Sequence, residues 1–82
     1  MLAKAENGYA EYDIGGGVID IKTTKEAIEV KHVSMWRHAV GQALTYAARV
    51  NLSPRIHLFG GKLEPVDECV ALNLGVRVTY EP

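Results

Sequence analysis

Apolar and polar residues alternate through the first third of the chain, and this alternation predicts three short strands. The three segments are residues 9–14, 18–23 and 26–32. Gly15, Gly16 and Gly17 separate the first two segments, and Thr24 and Lys25 separate the second from the third. Runs of glycine and short polar pairs are typical of tight turns. Three strands in a row with short turns predict an antiparallel meander.

From Ser34 onward the spacing of apolar residues becomes helical. At about 100° per residue, one apolar stripe follows a helix over residues 34–50. Its members are Trp36, Ala39, Val40, Ala43, Leu44, Ala47 and Val50. Ser34 is the expected N-cap, because a serine side chain can accept a hydrogen bond from a free amide of the first turn. Gly41 lies inside this helix, which suggests the close approach of another backbone.

The last third of the chain predicts a strand, a helix and a strand. Residues 55–59 form the strand, and Gly60 and Gly61 end it. A helix begins near Pro65, since proline suits a first helical turn, and residues 76–80 form the last strand. The apolar positions of this helix are Val66, Cys69, Val70 and Leu74.

The elements therefore follow the order β-β-β-α-β-α-β, with at most one helical turn before the first strand. This order predicts an α/β protein of the α+β kind, in which helices pack on a mixed sheet. With 82 residues, the chain has room for one domain, residues 1–82.

Three polar residues are expected to meet on the second and third strands. The apolar residues of those strands that share a face are Ile19, Ile21, Ile28 and Val30. If this apolar face covers one core, Asp20 lies beside Glu29 and Lys31 on the opposite face. Carboxylate oxygens are hard ligands that suit Mg²⁺, which keeps several waters and shares other positions with phosphate. A metal-bound water can attack phosphorus, and a nearby lysine can orient that water and offset transition-state charge.

The spacing D-x(8)-E-V-K on a hairpin, followed by a helix with G-Q-A-L-T-Y-A, resembles the PD-(D/E)XK nuclease superfamily. Restriction endonucleases and Holliday-junction resolvases belong to it, and the resemblance covers roughly residues 9 to 59. It implies a restriction-endonuclease-like core and a Mg²⁺-dependent hydrolase of DNA phosphodiesters, most simply an endonuclease. The chain departs from the pattern in two ways: Ile19 stands where the name has proline, and the N-terminal helix is nearly absent.

The resemblance also assigns roles to residues. It implies Asp20, Glu29, Lys31 and Gln42 as catalytic residues, and Asp20, Glu29 and the Val30 backbone carbonyl as metal ligands. Glu11 is the best additional ligand, and Glu6 is second. Mn²⁺ is expected to substitute for Mg²⁺, and no organic cofactor is implied. The residues expected to contact the DNA backbone are Lys22, Lys25, Arg37, His38 and Arg49.

Several alternatives stay open at this point. An E-x-K pair also occurs on solvated strand faces, so Asp20, Glu29 and Lys31 could form a salt-bridged surface hairpin. A nuclease-like frame without activity would be a nucleic-acid or protein binding module, and an RNA-directed nuclease is a third possibility. His57 is expected at the surface or boundary, and Cys69 is expected to be buried.

The charge balance gives no strong indication of a nucleic-acid partner. The formal net charge is -1, so binding to DNA would need a local basic patch. No apolar run approaches a membrane span and no signal-peptide pattern is present, which predicts a cytoplasmic or intracellular protein. Small size is consistent with a viral or phage source. Because one site cuts one strand, we expect a homodimer or a higher homo-oligomer.

Overall fold

The computed structural model describes residues 2–82 as an α+β protein with a mixed five-stranded sheet and three helices. The elements in chain order are α1 (Leu2–Ala5), β1 (Tyr9–Asp13), β2 (Val18–Lys22), β3 (Glu26–His32), α2 (Trp36–Val50), β4 (Ser53–Phe59), α3 (Pro65–Asn73) and β5 (Arg77–Tyr80). A single 3₁₀ turn, Val33–Met35, connects β3 to α2. The predicted order of strands and long helices is confirmed.

The strands lie in the sheet in the same order as in the chain. β1, β2 and β3 form an antiparallel meander, whereas β4 pairs parallel to β3 and β5 pairs parallel to β4. Parallel neighbours need a crossover connection, which α2 and α3 provide. The sheet is therefore antiparallel in its first half and parallel in its second, and β3 belongs to both halves.

The main core lies between α2 and one face of the sheet, called here the α2 face. Ile56 and Leu58 of β4 are fully buried against Ala39, Val40 and Ala43 of the helix. A smaller cluster continues this core toward β2, where Ala47 packs on Ile19 and Ala27. The predicted apolar stripe of α2 is confirmed, because its three alanines and Val40 are buried and its remaining members are partly buried.

Two local expectations about α2 are wrong. Ser34 is not the N-cap, because the 3₁₀ turn precedes the helix and Met35 occupies the cap position without a side-chain bond. The Ser34 amide instead donates to the His32 ring. Gly41 is not approached by another backbone, since a Cβ built there meets nothing within 4 Å.

The orientation of α3 also differs from the expectation. Val66, Cys69, Val70 and Leu74 are exposed, and Ala71 is the buried residue of this helix. Ala71 packs beside Val76 in the main core. The periodicity identified the apolar side of the helix correctly, but that side faces away from the sheet. No helix within residues 2–82 is long and apolar enough to cross a membrane.

Candidate functional site

The candidate site lies where β2 and β3 separate. Their ladder contains the pairs Ile21 with Ile28 and Lys22 with Ala27, and it ends where Asp20 would pair with Glu29. The rest of β3 stays paired with β4 as far as His32. The two strands therefore enclose a gap that opens beyond Asp20 and Glu29.

Two carboxylates occupy the closed end of this gap. Oδ2 of Asp20 accepts a hydrogen bond from the Val30 amide at 2.9 Å. Oε2 of Glu29 accepts one from the Asp20 amide at 3.2 Å. Each side chain thus satisfies a backbone donor of the opposite strand that the interrupted ladder leaves unpaired. This exchange places the two acidic groups side by side.

The alternation of side chains changes at Asp20. Ile19 packs on Ala27 and Ala47 on the α2 face, whereas Ile21 packs on Ile28 and Ala3 on the opposite face. The expectation that Ile19 and Ile21 share a face is therefore wrong. Such irregularities re-aim side chains within a sheet and are frequent beside active sites.

The same change occurs across the ladder in β1. Glu11 has a left-handed φ of 52°, and it lies between the paired positions Ala10 and Tyr12. Tyr9 and Tyr12 therefore lie on one face, with ring centroids 6.3 Å apart, although strict alternation would separate them. A left-handed φ costs about 1–2 kcal/mol for a residue with a side chain. The bend around Glu11 and Asp20 is thus a built feature of both strands.

Glu29 is an unusual carboxylate because its residue is only 1% exposed. Burial, and then the negative charge of Asp20, raise the pKa of Glu29 from about 4.5 to about 7. The Asp20 amide and the charge of Lys31 lower that pKa, but by less. Burial and the neighbouring Asp20 therefore disfavour the charged form of Glu29, and a bound cation would favour it.

Lys31 belongs to β3, and Gln42 belongs to α2, the helix that covers the α2 face. Lys31 lies two residues after Glu29 and pairs with Leu58, so both Glu29 and Lys31 belong to the α2 face. Oε1 of Gln42 is buried and has no hydrogen-bond partner within residues 2–82. A buried acceptor without a partner costs about 1–3 kcal/mol. Gln42 can therefore accept a hydrogen bond from a water or another incoming donor.

Tyr46 shows which way the Gln42 flank of α2 faces. Tyr46 lies one helical turn after Gln42 and packs on the cluster that contains Ile19. Its ring also covers Gly17, where an added Cβ would come within 2.8 Å of the ring. This flank of α2 is thus directed toward β2 and the preceding turn.

The Val30 carbonyl is directed into the gap. In a strand, the amide and carbonyl of one residue point to the same neighbour. The Val30 amide points toward β2, where it meets Asp20, so its carbonyl also points toward β2. A third oxygen ligand from the backbone is therefore available beside the two carboxylates.

The two candidates for a further acid lie in different places. Glu11 lines an open groove of about 760 Å³ together with Asp20, on the face opposite α2. Glu6 instead forms an ion pair with Arg55 at 2.9 Å, and that hydrogen bond lowers the pKa of Glu6. Of the two, Glu11 shares a groove with Asp20, whereas Glu6 is engaged elsewhere.

The basic residues predicted to contact DNA fall into two groups. Arg49 donates to the carbonyl of Gly15 at 2.6 Å, and Lys22 lies over the ring of Tyr12, 4.9 Å from its centroid. Both side chains therefore also have structural contacts. Three of the predicted residues are exposed: Lys25, Arg37 and His38. Arg37 and His38 line a shallow groove of about 410 Å³ that also contains Gln42.

A second polar cluster, on the face opposite α2, was missed by the sequence reasoning. Arg55 and His57 of β4 are buried, so the expectation of a surface or boundary His57 is wrong. Thr79 lies between them, 2.9 Å from Arg55 Nε and 2.8 Å from His57 Nδ1. Glu81 lies 2.6 Å from His57 Nε2. Arg55 and His57 are two residues apart in β4, so the sequence places them on the same face of the strand. No local pattern, however, indicates that Glu6 and Glu81 cover that face.

The Asp20–Glu29 gap fits a Mg²⁺ ion by the chemistry of its donors. Mg²⁺ is usually held by one or two carboxylates and completed by water and phosphate oxygens. Asp20, Glu29 and the Val30 carbonyl provide that set, and the raised pKa of Glu29 indicates that no cation within residues 2–82 fully offsets its burial. Within residues 2–82, no group of three or more His, Cys, Asp or Glu side chains is arranged to hold a metal. A metal at the gap would therefore depend on two side chains.

Comparison with known proteins adds no relative to this description. No protein-family model, curated protein or solved structure matches the chain. The functional argument therefore depends on the residues of the gap and on the elements that position them.

Proposed function

We propose that this protein is a Mg²⁺-dependent phosphodiester hydrolase that acts on DNA, most simply an endonuclease, with a restriction-endonuclease-like core. The observation that carries the proposal is the pair of adjacent carboxylates, Asp20 and Glu29, at the closed end of the gap between β2 and β3. The short E-x-K spacing adds Lys31 on the same strand. The resemblance of this sequence pattern to the PD-(D/E)XK superfamily supports the proposed function.

Each residue of the gap has a specific role in the proposal. Asp20, Glu29 and the Val30 carbonyl hold Mg²⁺, which supplies Lewis-acid stabilisation of phosphate oxygens and a more acidic bound water. Lys31 orients the attacking water and offsets charge that develops on the phosphate. Gln42 holds a water or a phosphate-bound donor through its unpaired Oε1. Glu11 is an additional acid, because it lines the groove that also contains Asp20.

The burial of Glu29 supports a cation more than a solvated surface hairpin. A salt-bridged surface pair would expose its carboxylate and place a cation within ion-pair distance. Glu29 is 1% exposed, and no ion pair to it occurs within residues 2–82. A buried carboxylate beside another one favours protonation or a bound cation. Of these two, a metal-dependent hydrolase requires the bound cation.

DNA would approach along the Gln42 flank of α2 in this proposal. Arg37 and His38 border the groove that contains Gln42, and Lys25 extends from the β2–β3 turn. Lys22 and Arg49 add charge near the turn that Arg49 holds. These contacts would go to phosphates, so affinity is expected to fall as salt increases.

The test is cleavage of linear, supercoiled, single-stranded and four-way-junction DNA, with an RNA strand in parallel. Wild-type protein is incubated with Mg²⁺, with Mn²⁺ and with chelator, beside Lys31→Ala. Lys4→Ala is the matched control, because Lys4 is an exposed lysine of α1. We expect metal-dependent cleavage by wild type and by Lys4→Ala, and none by Lys31→Ala. Activity retained in Lys31→Ala would refute the assignment, and cleavage of RNA alone would change the substrate class.

A non-catalytic binding module is the second candidate. Two observations favour it: the net charge of -1, and the lack of a third acidic, His or Cys ligand at the gap within residues 2–82. This candidate predicts binding of DNA or protein without cleavage and without metal uptake at Asp20 and Glu29. DNA binding that is unchanged by chelator and by Asp20→Asn would support it.

A further inference from the structure

Two tyrosines form an exposed aromatic pair on β1, a strand at one edge of the sheet. All five residues of β1 are exposed, because α2 packs on strands nearer the centre. Tyr9 is 69% exposed and Tyr12 is 39% exposed, and their ring centroids lie 6.3 Å apart. The ammonium group of Lys22 lies 4.9 Å from the centroid of the Tyr12 ring. These three side chains are called here the tyrosine platform.

An unfavourable backbone conformation in β1 brings the two rings together. Strict alternation would place residues 9 and 12 on opposite faces of the sheet. The left-handed φ of Glu11 breaks that alternation, although such a φ is unfavourable for a residue with a side chain. Neither ring packs into a core cluster formed by residues 2–82. The core therefore does not account for this conformation, and an unfavourable backbone without a packing role points to a function.

The platform lies on the α2 face, which is also the face of Glu29. Tyr12 pairs with Ile19 across β1 and β2, and directly paired residues share a face. Ile19 packs on Ala47 of α2, so the Tyr12 ring lies on that side of the sheet. Neighbouring strands are about 4.8 Å apart, so β1 lies at least about 10 Å from β3. About three nucleotides span this distance at the 3.4 Å rise of a stacked strand.

We propose that the tyrosine platform binds the unpaired bases of a single DNA strand whose phosphates reach the Asp20–Glu29 gap. Bases of any sequence stack on aromatic rings, and a cation beside the rings attracts the phosphates. The platform combines both features, two exposed rings and one lysine. In a duplex the faces of the bases are covered by their neighbours, so the platform suits an unpaired segment.

Charge complementarity favours a nucleic acid over an apolar protein segment. Lys22 places a positive charge against the rings, and an apolar segment would bury that charge without a partner. The two acidic residues of β1 are directed elsewhere. Asp13 accepts a hydrogen bond from the Gly15 amide, and Glu11 lines the groove on the opposite face. The charge beside the rings is therefore positive, as a phosphate backbone requires.

The inference names the substrate class of the proposed hydrolase, and it rests on that proposal for the identity of the ligand as DNA. The two can still fail separately, because binding is measured in chelator, where metal-dependent cleavage does not occur. Selective binding of single strands by a protein that cleaves nothing would contradict the hydrolase and support the platform. Cleavage without selective binding of single strands would contradict the platform alone.

The first experiment compares three ligands of wild-type protein by fluorescence anisotropy. They are a single-stranded oligonucleotide, a strand of equal length whose central nucleotides lack bases, and the duplex. We expect the intact single strand to bind at least about 5-fold more tightly than the abasic strand, because one stacked base contributes about that much. The duplex is also expected to bind more weakly than the intact single strand. Equal affinities for the intact and abasic strands would overturn the proposal.

The second experiment assigns the effect to the two rings. Tyr9→Ala and Tyr12→Ala should each weaken binding of the intact single strand by at least about 5-fold and leave binding of the abasic strand unchanged. Tyr9→Phe and Tyr12→Phe keep the rings and should retain affinity within about 2-fold. Val66→Ala on α3 is the matched control, since Val66 is also 69% exposed. Alanine variants that bind like wild type, or phenylalanine variants as weak as the alanine variants, would refute stacking on the platform.

Discussion

Two polar clusters share the central strands of this sheet, and they differ in how their charges are balanced. Arg55 and His57 are buried with partners for their polar atoms, supplied by Glu6, Thr79 and Glu81. The Asp20–Glu29 gap instead places two carboxylates together, and the pKa of Glu29 rises to about 7.

The difference separates a structural cluster from a candidate site. Buried polar groups that stabilise a fold are generally paired, as they are around Arg55. Polar groups that bind a ligand lack a hydrogen-bond or charge partner in the free protein. Strongly shifted pKa values are frequent among such groups. Glu29 has a raised pKa, and Oε1 of Gln42 has no hydrogen-bond partner within residues 2–82. Glu29 lies on the α2 face of the sheet, and Gln42 lies on α2 itself.

The largest expected effect is on cleavage. Asp20→Asn keeps an oxygen that can accept the Val30 amide, but it removes a negative charge from the gap. We expect activity to fall by about 100-fold or more, a size typical of losing a key group that stabilises the transition state. Initial rates on supercoiled DNA with Mg²⁺ measure it. Activity within a factor of about 3 of wild type would contradict a metal site at Asp20.

The next effect is on stability and belongs to the paired cluster. Arg55→Met should lower the free energy of unfolding by about 3 kcal/mol, because Glu6 and Glu26 lose a buried partner. Arg77→Met is the matched control, since Arg77 also contacts Glu26 but is largely exposed. Its expected loss is below about 1 kcal/mol. Urea unfolding measures both, and equal losses would remove the distinction between buried and exposed partners.

Glu29→Gln should have the opposite sign and stabilise the protein near neutral pH. The pKa of Glu29 is higher in the folded chain, so the folded state binds more protons than the unfolded state between about pH 4.5 and 7. Wild-type stability therefore falls as pH rises through this window. The variant lacks that loss and should be more stable by about 1–3 kcal/mol above pH 7, with little difference below pH 4.5.

Urea unfolding of both proteins, in metal-free buffer across this pH range, measures the effect. The amide oxygen of the variant can still accept the Asp20 amide, so the hydrogen bond is preserved. A variant that is less stable than wild type at pH 8 would show that the charge of Glu29 is already balanced.

A smaller loss of stability is expected for Thr79→Val, which preserves shape but removes the hydroxyl shared by Arg55 and His57. Leaving these buried groups without that partner should cost about 1–2 kcal/mol. Thr45→Val is the control, because Thr45 is exposed and bonds to the Gly41 carbonyl of its own helix. Thermal unfolding of the two variants measures the difference. Equal stability of the two would indicate that water replaces the Thr79 hydroxyl.

Local pattern was sufficient for most of the fold. The apolar stripe of α2 and the turn at Thr24 and Lys25 follow from residues close in sequence, and both are observed. The same short turn brought Asp20 opposite Glu29. The side-chain faces of β2 were wrong, however, because strict alternation does not anticipate the bend at Asp20.

Two further errors depend on contacts between distant residues or on the packing of a whole helix. The burial of His57 depends on Thr79 and Glu81, which the chain places beside it only after α3 and β5 have formed. The apolar side of α3 was identified, but periodicity alone cannot tell whether that side faces the sheet or solvent. The roles of Asp20, Glu29, Lys31 and Gln42 stay predictions.

Calorimetric titration with Mn²⁺ at pH 8 tests the central claim most directly, because it measures binding of a metal ion to the gap without any substrate. Wild type, Asp20→Asn and Glu26→Gln are compared, the last as a control from the paired cluster, where Glu26 contacts Arg55. We expect saturable binding by wild type and by Glu26→Gln, and loss of that binding in Asp20→Asn. Absence of binding by wild type, or equal binding by all three proteins, would contradict a cation site at Asp20 and Glu29.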